Sequence, residues 1–193
     1  MKLRAVASPS SSGPSDSELV VGAIAGERWA QEAIFRRYTR LVNGLSFRLM
    51  GSRSDAEDLT QDVFVQAFQS LHRLENHLSL SSWLCSITVR TAHKRIRRLR
   101  LMTRLGLRRS EAVNFDNVIS SVAPPEAQVE LRAIYAILHE LPAEDRMALV
   151  LRRVEGMAIG EIAAHLGRSV ATVKRRLKSA EAHLSSRLGS RHD

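Results

Sequence analysis

Apolar residues recur along this chain at steps of three and four, the period of a helix that buries one face. Leu19, Val20 and Ile24 predict a short first helix that begins at Asp16 and ends near Gly26. Ala30, Ile34, Tyr38, Leu41, Leu45 and Leu49 continue at helical steps and stop at Gly51. Ser54 with Glu57 reads as a capping box that opens a third helix, reaching about Leu71. Its stripe is Ala56, Leu59, Val63, Phe64, Ala67, Phe68 and Leu71. A loop from His72 to Ser79 leads to a fourth helix carrying Trp83, Leu84, Ile87, Ile96 and Leu99. No segment alternates apolar and polar residues as a strand would.

The pattern weakens from Leu101 onward. Gly106, Asn114, Asp116, Asn117, Ser120, Ser121 and the Pro124-Pro125 pair read as a linker with room for a short helical piece. Helical spacing resumes at Leu131, Ile134, Leu138 and Leu141, and Pro142 suits the start of the next helix. That helix has Met147, Val150, Leu151 and Val154 as its stripe and ends at Gly156. Ile159, Ile162, Ala163 and Leu166 follow, Gly167 breaks the run, and Ser169 can cap a last helix. Val170, Val173, Leu177, Ala180 and Leu184 form its apolar stripe. The expected fold is all-α: an N-terminal helical bundle over 16–100 and a C-terminal helix-turn-helix domain over 127–188. A flexible basic linker, 101–126, joins them. A Ser/Pro-rich disordered tail precedes them at 1–15, and a frayed tail follows at 189–193.

The polar positions add the chemistry. The last helix presents Ser169, Thr172, Lys174, Arg175, Arg176 and Lys178 away from its stripe, a face suited to phosphates and base edges of duplex DNA. Thr172 and Arg175 are the base or phosphate candidates; Lys174, Arg176 and Lys178 suit backbone positioning. Net charge agrees: 29 Lys and Arg against 20 Asp and Glu give +9, which favours a polyanionic partner. The charge is unevenly spread. Arg90 to Arg109 holds nine Lys/Arg and no acid, with Arg90, Lys94, Arg97 and Arg98 on one side of a helix. Such crowding is costly without an anion to neutralise it. Conversely, Asp55 to Gln69 holds four carboxylates and no cation. Asp58, Gln61, Asp62 and Val65 share a face apart from its stripe, suited to docking on a basic helix.

Other chemistries find no support. There is no Gly-rich phosphate loop, nucleophile elbow or HExxH motif, so no enzyme is expected. His72, His77, Cys85 and His93 have no common metal-site spacing, and no cofactor or small-molecule substrate is implied. The lone Cys85 excludes an internal disulfide and fits a reducing, cytoplasmic setting. No apolar run approaches membrane-spanning length, and the first residues lack a signal peptide's apolar core.

Taken in order, DSELVVGAIAGERWAQEAIFRRY, AEDLTQDVFVQAF, SSWLCSITVRTAHKRIRR and LHELPAEDRMALVLRRVEGMAIGEIAAHLGRSVATVKRRLKSAEAHL resemble the extracytoplasmic-function (ECF) group of bacterial RNA polymerase sigma factors. The resemblance implies that Asp58, Gln61, Asp62 and Val65 bind the β′ clamp helices of core RNA polymerase. It implies that the loop with Asn76 and His77, together with Arg90, Lys94, Arg97 and Arg98, reads and melts the minus-10 promoter element, capturing a flipped base. The linker would thread towards the polymerase active site. The second domain would read the minus-35 element and touch the β flap. An anti-sigma factor is a further implied partner. Departures exist: Arg90 and Lys94 stand where the family often has Asn and Asp, and Leu80-Ser81-Ser82 lacks the aromatic and Arg often found there. Ala158 replaces a common capping Ser. The turn-helix part alone also resembles LuxR-type regulators, so a stand-alone helix-turn-helix transcriptional regulator is the main alternative. A DNA-acting enzyme such as a resolvase, and a basic helical interaction protein with no DNA role, are weaker rivals.

Overall fold

Ser15 opens the first helix. In the computed structural model, which describes residues 13–106 and 124–189, its hydroxyl accepts the Glu18 N–H at 3.3 Å. The Glu18 carboxylate in turn accepts the Ser15 N–H and hydroxyl, both at 2.7 Å. This reciprocal box starts α1 (Asp16–Ile24). α2 (Arg28–Met50) ends at Gly51, whose φ of 77° is left-handed. α3 (Arg53–Ser70) is capped by Ser52, which accepts the Asp55 N–H at 3.4 Å. The cap expected at Ser54 therefore lies two residues earlier. Ser52 holds the extended backbone a cap needs, whereas Ser54 is already helical. Glu57 pairs with Arg53 instead, at 2.8 Å.

Two 3-10 turns, Leu71–Arg73 and His77–Ser79, lead into α4 (Leu80–Arg104). The second half comprises α5 (Pro125–Glu140), α6 (Ala143–Arg153), α7 (Ile159–Leu166) and α8 (Val170–Gly189). Helix thus takes both ends of the expected linker; the helical piece expected within it lies outside the described residues. Among the described residues there is no strand.

The expected stripes form the core. Leu45, Leu59, Leu84, Met147, Leu151 and Ile162 are completely buried. Each such side chain contributes roughly 1.5–3 kcal/mol by leaving water. Three expected stripe positions are exposed instead: Ile24, Val154 and Val170, at 44–48%. Each lies at a helix end, where the next turn that would cover it is absent.

The periodicity predicts each half but not that they touch. α2 packs on α6, and α4 packs on α7. The buried apolar cluster runs without a break from Leu19 to Ala180. At the boundary the His139 ring sits on Gly51 so closely that a Cβ there would lie 1.5 Å from its Cε1. Arg146 donates to the Leu49 carbonyl at 3.4 Å. Arg48 donates through Nε and Nη2 to one oxygen of Glu155, at 3.0 and 2.6 Å. Ser86 Oγ and His165 Nε2 lie 3.5 Å apart.

Candidate nucleic-acid and polymerase interfaces

The acidic face of α3 is real and open. Asp58, Gln61, Asp62 and Val65 are all exposed. Arg95 of α4 reaches across to it, with one Nη 2.7 Å from Asp58 and the other 3.2 Å from Asp62; Asp55 lies 3.6 Å away. Arg95 itself is mostly covered, while the Asp58 and Asp62 side chains remain more than half exposed. One cation therefore spaces the carboxylates without hiding them. Beside this face Phe35 packs on Phe64 at 4.7 Å, and Phe68 lines an open groove with Phe35, Arg28 and Arg36.

On α4, Arg90, Lys94, Arg97 and Arg98 are exposed. Trp83, which introduces them, packs against the core. In the preceding loop Asn76 is exposed and His77 half-buried. Asn76 has a structural duty, since its side-chain oxygen accepts the Leu78 N–H at 3.1 Å.

The helix-turn-helix is built as its sequence indicates. Gly167 ends α7 at a φ of 59°, and Ser169 caps α8 by accepting the Thr172 N–H at 3.2 Å. The two hydroxyls of Ser169 and Thr172 lie 2.9 Å apart. Ala158 offers α7 no side-chain cap, but the Glu161 carboxylate compensates by accepting the Ala158 N–H at 2.7 Å. Lys174, Arg175 and Lys178 are exposed.

Arg176 is placed differently. Its two Nη atoms lie 2.6 Å from Asp145 and 2.5 Å from Glu144, and only a quarter of its side chain is exposed. Sequence reasoning passed over Glu144, a 5%-exposed carboxylate at the start of α6. It also meets Arg168 at 3.2 Å, Arg100 at 3.5 Å and His93 at 4.0 Å. Burial pushes its pKa up, but the guanidinium groups of Arg168, Arg176 and Arg100 outweigh burial and hold it below the usual carboxylate range. No periodic signal marks such a residue, because its partners come from α4, the turn and α8. Cys85 lies near the Arg48–Glu155 pair. Burial and, less strongly, Glu155 push its thiol up to about 11. Among the described residues no cluster of His, Cys, Asp and Glu could hold a metal ion.

Comparison with known proteins finds two family models that match the chain. The Sigma-70 region 2 model matches residues 34–101, and the Sigma-70, region 4 model matches residues 131–184. The ECF RNA polymerase sigma factor SigM of Mycobacterium tuberculosis (strain ATCC 25618 / H37Rv) is 32% identical over 176 residues, covering 91% of this chain and 85% of SigM. The chain belongs to the ECF RNA polymerase sigma factors. The region 2 match leaves the LuxR-type alternative unsupported, since that reading explained the C-terminal half alone. Two solved structures share the fold of this sigma factor. The sigma factor RpoE in complex with the anti-sigma factor NepR from Bartonella quintana has a TM-score of 0.64 at 22% identity, covering 82% of this chain and 96% of that one. CnrH in complex with the cytosolic domain of CnrY has a TM-score of 0.58 at 25% identity, covering 91% and 97%. Among the described residues of this sigma factor, no helix is long and apolar enough to cross a membrane.

Proposed function

We propose that this sigma factor divides its task among three surfaces. The face of α3 with Asp58, Gln61, Asp62 and Val65 docks on a basic helical element of core RNA polymerase, the β′ clamp helices. The 72–82 loop with Asn76 and His77, and the α4 cations Arg90, Lys94, Arg97 and Arg98, take the minus-10 strand. Ser169, Thr172, Lys174, Arg175 and Lys178 read the minus-35 duplex from the N-terminal half of α8, with Arg176 held behind them. The first two surfaces belong to a region 2-like domain over 16–100. The third belongs to a region 4-like domain over 127–188, which also touches the β flap. An anti-sigma factor is a fitting partner, since RpoE of Bartonella quintana is complexed with one.

The observation that carries the polymerase assignment is an exposed acidic face kept open on a chain of net charge +9. Opposite potentials steer encounter and fix register on a basic partner. Transcription by sigma-free core polymerase on a pool of promoters tests the whole reading: addition of the purified chain should start specific transcripts. Asp58→Lys with Asp62→Lys should weaken core binding at least tenfold, about 1.4 kcal/mol, with helicity preserved. Undiminished binding would remove α3 from the polymerase contact.

A further inference from the structure

Among the described residues, Arg146 is a buried cation without a carboxylate partner. It is 7% exposed, and its nitrogens meet only the Leu49 carbonyl at 3.4 Å and His139 Nδ1 at 3.5 Å. Both distances lie at the outer edge of hydrogen bonding. Its Nε is buried with no partner at all. Burial and the like charge of Arg100 draw its pKa down to about 10. An isolated buried charge is costly, and folded proteins ordinarily pair it.

This side chain lines a groove of about 510 Å³ between α4 and the start of α6. Small-molecule sites span roughly 300–1,000 Å³. Arg100, Thr103 and Arg104 share the lining, beside the apolar Ile96 and Leu99. Among the described residues Asp55 is the one acid along it, and that carboxylate faces Arg95 at 3.6 Å. Arg100 leans partly away, towards Glu144 at 3.5 Å. The groove thus has an excess of positive charge at one side and an apolar wall at the other. Guanidinium groups donate paired bonds to phosphate oxygens, and an apolar wall suits a flat organic group attached to them.

We propose that this groove binds a nucleotide-like polyphosphate, with its phosphates on Arg146, Arg104 and Arg100 and its organic part on Ile96 and Leu99. The phosphates supply the counter-charge that Arg146 lacks. Duplex DNA suits that duty poorly, because Arg146 is recessed between two helices while Arg97 and Arg98 stand in the open. The site is independent of the surfaces assigned to polymerase and promoter.

The test titrates the full chain with magnesium-free ATP, GTP and inorganic triphosphate at fixed ionic strength, read by calorimetry and thermal unfolding. A nucleotide should bind saturably and raise the unfolding midpoint. It should bind more tightly than inorganic triphosphate, because only the nucleotide covers the apolar wall. Arg146→Met should weaken binding roughly tenfold, as expected for a lost charge-assisted contact. The ligand-free variant should unfold no lower than wild type, since the charge removed had no partner to strand. Arg104→Gln, at an exposed position, should weaken binding about threefold with helicity unchanged. Arg40→Gln, an equal loss of charge on α2 outside the groove, should bind like wild type. No saturable binding of any probe overturns the proposal, as does wild-type affinity in both Arg146→Met and Arg104→Gln. Inorganic triphosphate binding more tightly than either nucleotide overturns the nucleotide assignment. An equal loss of random-duplex affinity in Arg146→Met would make the groove part of a DNA surface and overturn it too. Should Arg146→Met fail to fold, Arg104→Gln against Arg40→Gln decides alone.

Discussion

The Ser169 hydroxyl accepts the N–H that begins α8 and lies beside the Thr172 hydroxyl, so one atom would serve both the cap and the DNA recognition proposed for it. Ser169→Ala should cost about 1 kcal/mol of stability, seen as a lower midpoint in thermal unfolding. Ser169→Asp keeps the cap but sets a carboxylate before the phosphates. It should unfold like wild type while duplex binding falls several-fold; equal binding by all three proteins would take Ser169 off the DNA face. Arg176 shows the limit of reading single residues. Its position among Lys174, Arg175 and Lys178 suggested DNA, and its type was right for phosphate. Only the fold brings Glu144 and Asp145 beneath it.

At the scale of elements, α4 combines a buried stripe with a face of exposed cations, Arg90, Lys94, Arg97 and Arg98. Neutralising any one should reduce the slope of log affinity against log salt by about 0.7 for a single-stranded oligonucleotide. A slope that stays put in all four single variants would mean the strand does not follow this face. The helices themselves were legible because burial imposes a 3.6-residue period, and Gly51 and Gly167 end two of them at positive φ. The misreadings have local causes. Ser54 with Glu57 fits a capping pattern, but Ser52 reaches the orphan N–H first. Ile24, Val154 and Val170 continue a period past the point where anything covers them. The acidic face of α3 was legible as charge pattern, whereas its tie to Arg95 depends on two helices meeting.

For the whole molecule, what the sequence could not disclose is the joint between halves. It is made of Arg48 with Glu155, Arg100 with Glu144, and three histidines, each paired across long stretches of chain. Burial depresses all three histidines. His139, facing Arg146, is brought down to about 4. His93 faces Arg97, Arg100 and Arg168, with Glu144 only partly opposing its depression. His165 faces Arg90, with Glu161 opposing. A depressed histidine stabilises the state that keeps it neutral. The packing of the two halves should therefore be complete above the ordinary histidine pKa of about 6.5 and weaken as pH falls towards about 4. Small-angle scattering across that window should show expansion before helicity is lost; a constant radius would count against histidine control of the joint. The contact between Gly51 and His139 carries a different consequence, for descent rather than for motion. The two positions occupy one volume, since any side chain at 51 would overlap the imidazole as it stands. Related chains that keep this joint can acquire a side chain at the first position only alongside a smaller or displaced residue at the second. The pair should thus vary as a unit, and a homologue that breaks the pairing is expected to assemble differently.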